Sequence, residues 1–299
     1  MSGTVKSKLS FLSVIVIAFF VLLQMGLYLA HQIGDINLQW GLFQYCLTAL
    51  KKNSLQHRLL DFLFYGLIAY TTLKILLRII KQSYLTWKLE KRIEVQKDVR
   101  ATKRLKKKYR EWGIEIAVIR DRTFLALAMG IFRPKILLST HVLDCFTEQE
   151  VEAILLHEWH HCKNRDPLKL FLVILFTDSM KYVPVLKGLA HHYKVWRELL
   201  ADRFVIHRMG SAYELGSVLL KLTGQEHRQF AAGVSFADVA INYRIQQMIE
   251  PSRPIRVPVL RGKPTLQSIV VVLFFMSFIL GGCAYPPFFF KKLTLNIVV

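Results

Sequence analysis

The run Leu155-Leu156-His157-Glu158-Trp159-His160-His161 contains H-E-x-x-H, and three of its side chains could do chemistry together. On a helix, His157 and His161 lie one turn apart and project from one face. Two neutral imidazoles so placed can bind one zinc ion, and Glu158, beside His157, can take a proton from an attacking water. The pattern alone is only suggestive, because a chain of this size meets it by chance at roughly the one-in-a-hundred level. His160 offers a rival pair at three-residue spacing but points away from the shared face, and it reads as a surface or second-layer histidine. Trp159 reads as packing.

A catalytic zinc site wants three protein ligands and one open position. The segment Trp196-Arg197-Glu198-Leu199-Leu200-Ala201-Asp202 answers that need. Glu198 can be the third ligand. Asp202, one turn later on the same face, can accept the remaining N–H of a ligand histidine and fix its tautomer. Alone, these two acids would be an ordinary solvated helix face; beside H-E-x-x-H they complete a site for one Zn2+ per chain. No further histidine motif follows His161, where Cys162-Lys163-Asn164-Arg165-Asp166 stands, so the third ligand is a glutamate. Hydrolysis also wants a donor for the developing oxyanion. His207, Arg203 and Tyr193 are candidates, as are His191 and His192, and the sequence does not choose among them.

The elements that position these groups are partly legible. Thr147 and Glu150 form the pattern of a capping box, with Phe146 and Val151 placed as a hydrophobic staple, so a helix is expected over 148–163. Asn164-Arg165-Asp166-Pro167 ends it. A strand is expected at 114–119 and a hairpin from 123–132 and 136–139, parted by Arg133-Pro134-Lys135. A charged helix is expected over 81–111, stopped by Trp112-Gly113, and a long polar helix over 191–222. A loop at 223–238 and a short helix at 239–250 follow. An extended substrate could pair with an edge strand from 123–132.

Apolar residues make up 53% of the 299 residues, and mean hydropathy is +0.32, too high for a protein wholly in water. Residues 11–30 carry no charge, which is long enough for a helix to cross a hydrocarbon core of about 30 Å. Similar runs lie at 59–80 and 265–285. The expected division is a membrane region at 1–80 with spans near 11–31 and 59–80, a metalloprotease domain at 81–264, a transmembrane helix at 265–285 and a short tail at 286–299. Residues 36–50, with Trp40 and Tyr45, read as interfacial or re-entrant. The apolar run 168–186 lies between the two halves of the site. It therefore cannot be one full crossing, and is read as a core helix or a hairpin.

Charge adds orientation. Lys and Arg total 41 against 21 Asp and Glu, a net +20, with twelve basic residues packed into 81–110. Basic residues beside a membrane helix mark the cytoplasmic side and attract anionic lipid. Few aromatics are interleaved, so direct nucleic-acid binding is not expected. The four cysteines show no paired spacing and point to neither a disulfide framework nor a sulfur-ligated zinc.

The run Phe132-Arg133-Pro134-Lys135-Ile136-Leu137-Leu138-Ser139, the helix start Thr147-Glu148-Gln149-Glu150, His157 to Asp166-Pro167, and Glu198 to Asp202 together resemble the antirepressor membrane metalloproteases. That family includes the regulators of penicillinase and methicillin resistance. The likeness covers about 60–285 and is specific over 123–210. It implies an α+β membrane protein: a mostly helical, gluzincin-like zinc metalloprotease domain with a small sheet and about three transmembrane helices. It also implies zinc on His157, His161 and Glu198, with Glu158 as the catalytic carboxylate. The expected activity is regulatory endoproteolysis of the chain itself, of a cytoplasmic helix-turn-helix repressor, or of both. Ser235-Phe236 is a candidate self-cleavage point, and a homodimer is compatible with this role. The best-known members carry a penicillin-binding sensor after the last span. Here neither Ser-x-x-Lys nor Lys-Thr-Gly is found, so direct antibiotic sensing is not expected. A housekeeping membrane protease resembling the prenyl-protein and heat-shock membrane proteases is the nearest alternative. A non-catalytic signalling scaffold with a structural zinc is the alternative of a different class.

Overall fold

A computed structural model describes residues 2–34, 54–229, 237–250, 255–258 and 264–271. Its elements are α1 (Gly3–Gly34), α2 (Ser54–Gln96), α3 (Val99–Lys108), β1 (Glu115–Ile119), β2 (Ala126–Met129), β3 (Lys135–Ser139), α4 (Thr140–Cys145), α5 (Glu148–Lys163), α6 (Asp166–Ser179), α7 (Val185–Met209), α8 (Tyr213–Gln229) and α9 (Ala237–Ile249). The described residues are mostly helical with one three-stranded sheet, as expected.

The chain divides into two compact units, one of residues 1–11, 78–175 and 189–259, the other of 12–77, 176–188 and 260–299. In the second unit, the long apolar helices are held by aromatic contacts. Tyr28 meets Phe64 edge-on at 4.5 Å and Tyr65 at 5.5 Å. Among the described residues, Gly3–Ala30 and Phe62–Gln96 are long and apolar enough to cross a membrane, with mean hydropathies of 2.4 and 1.6. Only 33% and 17% of those stretches is buried within the protein, so neither is an ordinary core helix. Of the third apolar run, 265–285, the described part begins as a helix and the rest lies outside the described residues, as does 36–50. The apolar run 168–186 is not one helix. α6 ends at Ser179 and α7 starts after Pro184, and the 14 residues of α6 span only about 21 Å.

The first unit carries the sheet, ordered β1-β3-β2. The expected hairpin forms, with β2 antiparallel to β3 and Ala128 opposite Ile136. β1 adds in parallel on the far side of β3, with Ala117 opposite Leu137. Strand alternation then makes two buried faces. Ile116, Val118, Ile136 and Leu138 pack with Ile154 and Leu155 of α5, while Ala117, Ile119 and Leu137 pack with Ile93 of α2. β1 and β2 are the two edge strands, the free edge of β1 meeting the backbone at Gln96–Asp98.

Two expected helices are divided. The basic helix over 81–111 breaks at Lys97-Asp98, because Asp98 starts α3 by accepting from the Ala101 N–H at 2.9 Å. The backbone beside the break turns to β1: Asp98 N–H donates to Val118 O and Arg120 N–H to Gln96 O. The polar helix over 191–222 breaks at Gly210, whose φ of +73° is the left-handed conformation that closes α7. α8 then runs on to Gln229, through residues expected to be loop.

The capping box at the start of α5 is present in full. Glu150 also receives Ser217 Oγ at 2.6 Å and Lys221 Nζ at 2.6 and 2.7 Å, which ties α8 to α5. Burial pushes the Glu150 carboxyl up, but Lys221, Ser217 and the Thr147 N–H outweigh it and hold it down at about 2. A depressed carboxyl stabilises the fold above its unfolded pKa and loses that contribution as pH falls from about 5 towards 2. With allowance for the half-exposed Lys221, the contribution at neutral pH is about 2 kcal/mol. Glu150→Gln should therefore lower the melting temperature in detergent at pH 7 by several degrees. The gap from wild type should shrink towards pH 2 in melts followed by circular dichroism.

Candidate active site

α5 delivers the motif as its helical period requires. His157 and His161 are both buried, and their rings meet edge-on at 4.7 Å. α7 brings Glu198 against them. His157 Nε2 lies 3.1 Å from His161 Nε2 and 3.2 Å from Glu198 Oε2, and His161 Nε2 lies 3.8 Å from Glu198 Oε1. The three residues thus offer ligand atoms within 4.8 Å of one another.

What stands behind each histidine sets its tautomer. His161 Nδ1 meets Asp166 Oδ2 at 2.8 Å, and because a carboxylate only accepts, Nδ1 carries the proton. His157 Nδ1 lies 3.0 Å from Asp202 Oδ1. That contact departs from hydrogen-bond alignment, so Asp202 acts on this ring chiefly by charge. The two Nε2 atoms face one another and the Glu198 carboxylate. Without a metal, the surrounding carboxylates draw protons onto the rings. Burial pushes the His161 imidazole down, but the Glu198 and Asp166 carboxylates outweigh burial and raise it to about 9. His157 is also raised, with burial and Arg244 opposed by Asp202 and Glu198. Glu198 itself is held well below the carboxylate range, burial being overcome by Arg197 and His161.

The cluster can be counted in formal charge. Glu158, Asp166, Glu198 and Asp202 are set against the guanidiniums of Arg197 and Arg244, which leaves two negative charges for one divalent cation to balance. Tetrahedral bonds of about 2.0–2.1 Å would hold ligand atoms roughly 3.3 Å apart, close to the separations observed. The residues present fit a zinc ion. A second grouping, His160, His161 and Asp166, also lies within reach of one point. It reuses the Asp166–His161 hydrogen bond, and His160 Nε2 faces the Asn164 side-chain amide at 3.1 Å, so it is the poorer cradle.

A cavity of about 410 Å³ opens onto the site, walled by Phe124, Ala126 and Ala128 on one side and by His157, Glu158, His161 and Glu198 on another. Glu158 Oε2 accepts the Ala128 N–H at 2.6 Å, which brings the carboxylate to the outer strand. In β2, Ala126 and Ala128 share the side turned away from β3, because the Ala128 N–H points to Glu158 rather than into the ladder.

Of the predicted oxyanion donors, none lines this cavity. Arg203 is exposed and donates to Gln247 Oε1 at 2.9 Å. His207 is exposed. Tyr193 is buried beside Phe11, and its hydroxyl is pushed up by burial and then by Asp166. His192 is occupied by Ser10 Oγ at 2.6 Å and Trp196 Nε1 at 2.9 Å. The cationic groups that do line the cavity are Arg197 and Arg244. Ser235-Phe236 lies outside the described residues. Three site residues escaped the sequence reading. Asp166 had a signal, an acid just after the motif helix and before a proline. Arg197 had only its place beside Glu198. Arg244 had none.

Comparison with known proteins bears on the same residues. A model of the BlaR1 peptidase M56 family matches residues 49–248, which contain every site residue named above. The Regulatory protein BlaR1 of Bacillus licheniformis is similar at 29% identity over 104 residues, 34% of this chain. The matched stretch spans only 17% of the length of that relative. The likeness read from residues 123–210 therefore holds, and the chain belongs to the BlaR1 peptidase M56 family.

Proposed function

We propose that this chain is a membrane-embedded zinc metalloendopeptidase with a regulatory role, cleaving itself, a cytoplasmic helix-turn-helix repressor, or both. The observation that carries the reading is the pair of Nε2 atoms converging on the Glu198 carboxylate, with a carboxylate behind each ring. Such a cradle is satisfied by a cation held on His157, His161 and Glu198. When bound there, zinc supplies Lewis-acid polarisation of a peptide carbonyl and of water.

The remaining work belongs to the protein. Glu158 takes the proton from the attacking water and passes it to the leaving amine. The Ala128 N–H holds that carboxylate at the mouth of the cavity. The outward backbone groups of Ala126 and the Ala128 carbonyl give an extended substrate an edge to pair with, so a segment that can unfold into a strand is the expected substrate. Asp166, accepting from His161 Nδ1, favours the tautomer that turns a bare Nε2 to the metal, while Asp202 sets a negative charge beside His157 Nδ1. The basic excess over 81–110 supports a site on the cytoplasmic side, where a repressor would be met.

The test uses the full chain in detergent or lipid. Purified protein should hold about one zinc per chain by elemental analysis, and should cleave itself or a co-purified repressor. Removal of zinc by 1,10-phenanthroline should stop cleavage, and zinc should restore it. A chain that binds no metal, or whose cleavage survives full metal removal, would refute the reading. Cleavage of many unfolded membrane proteins and of no single favoured one would instead select the housekeeping alternative.

A further inference from the structure

We propose that Arg244, delivered by α9, is a positioning residue that sets the metal affinity of the site. This inference rests on the zinc reading above and goes beyond it by making α9 part of the metal centre. α9 packs on α7 through a stripe at helical spacing, Ala240, Tyr243, Arg244 and Gln247. Ala240 and Tyr243 join Val195, Trp196 and Leu199 in an apolar cluster. The two polar members of the stripe have different partners. Gln247 Nε2 donates to the Leu199 carbonyl at 3.1 Å and its Oε1 accepts from Arg203 at 2.9 Å, so it bonds no carboxylate. Arg244 Nε and Nη2 donate to Asp202 Oδ2 and Oδ1, each at 2.7 Å, and Nη1 lies 3.8 Å from Glu198 Oε2.

The consequences follow from geometry and charge. Asp202 is fully buried, and Arg244 fixes both of its oxygens in a bidentate fork. The carboxylate behind His157 is thereby fixed, and its charge stays 3.0 Å from His157 Nδ1, the side of the ring opposite the Nε2 that faces Glu198. The same guanidinium stands beside the third ligand. Its removal would leave a buried cluster with one uncompensated charge even when the divalent ion is bound, and would free Asp202 to turn. A lysine keeps the charge but not the fork, so it should repair only part of the loss.

The test is zinc affinity in the full-length chain, read by competition with a chromophoric chelator, beside the visible spectrum of the cobalt-substituted protein. Arg244→Met should weaken zinc binding about 10–100-fold and alter the cobalt bands. Arg244→Lys should recover part of the affinity. Gln247→Ala, which loosens the same helix without touching a carboxylate, should stay within about twofold of wild type. Arg244→Met with unchanged affinity would overturn the proposal, as would Gln247→Ala weakening zinc as much. If Arg244→Met does not fold, Arg244→Lys decides: full affinity and an unchanged cobalt spectrum would overturn the proposal. A wild-type chain that takes up no zinc would sink the zinc reading itself, a separate outcome from wild type binding zinc and Arg244 proving irrelevant.

Discussion

Replacing Glu158 with Gln should lower peptide cleavage by about 10²- to 10⁴-fold while the chain still binds one zinc. Gln is nearly isosteric and keeps an oxygen that can accept the Ala128 N–H, now seen at 2.6 Å. It cannot accept a proton near neutral pH. The proposed metal cradle is His157, His161 and Glu198, and Glu158 is not among the grouped ligand atoms, so affinity should hardly change. The measurement pairs zinc content with a timed cleavage assay on the same preparation. Full activity in Glu158→Gln would remove the general base from the mechanism. Lost cleavage with unchanged biological output would favour the scaffold reading.

Glu198→Ala carries the second large effect, and it should strike metal and fold together. One of three protein ligands disappears, which should weaken zinc by roughly 10²- to 10³-fold, given about 10–16 kcal/mol shared among the ligands of a structural site. The same carboxylate balances Arg197, which donates to Glu198 Oε1 from Nε at 3.1 Å and from a second guanidinium nitrogen. A buried guanidinium left without its partner destabilises by about 3–5 kcal/mol. The metal-free variant should therefore melt below the metal-free wild type. Glu198→Gln should fall between them in stability, because it retains a hydrogen-bond acceptor for Arg197 but not the charge. Equal melting temperatures for the metal-free forms of wild type and Glu198→Ala would show that the guanidinium finds another partner, and would weaken the charge count of the site.

The family match and the geometry deepen one another only where they meet. Residues 49–248 take in the motif helix, the third-ligand helix and Arg244 alike. The match supports a peptidase of this family, while the converging Nε2 atoms give a physical reason for a metal in this particular chain. Substrate and stimulus rest on the proposal and its tests. In particular, the outer strand's Ala126 and Ala128 suit any extended segment, so they define the shape of a substrate rather than its identity.

Some of this protein was determined locally and could be read in order along the chain. Thr147, Glu150, Phe146 and Val151 specify where α5 starts, and that start sets the phase of the helix on which His157 and His161 share a face. The hairpin of β2 and β3 follows from its short turn. These features were legible because caps, turns and helical period involve residues a few positions apart. The breaks at Asp98 and Gly210 also had local signals, an N-cap residue and a glycine, but each competed with a helical pattern running through it. What only the tertiary structure decided is the set of partners brought from afar. The parallel pairing of β1 with β3 puts β3 in the centre and leaves β2 on an edge, and α9 sets Arg244 on Asp202. An arginine's partner depends on which helices pack together, and that depends on burying apolar stripes such as Ala240 and Tyr243 against Val195 and Leu199. Spacing within the motif could thus propose His157 and His161 as ligands. The charge that balances them, and the strand that walls their cavity, exist only once the distant helices and strands have packed.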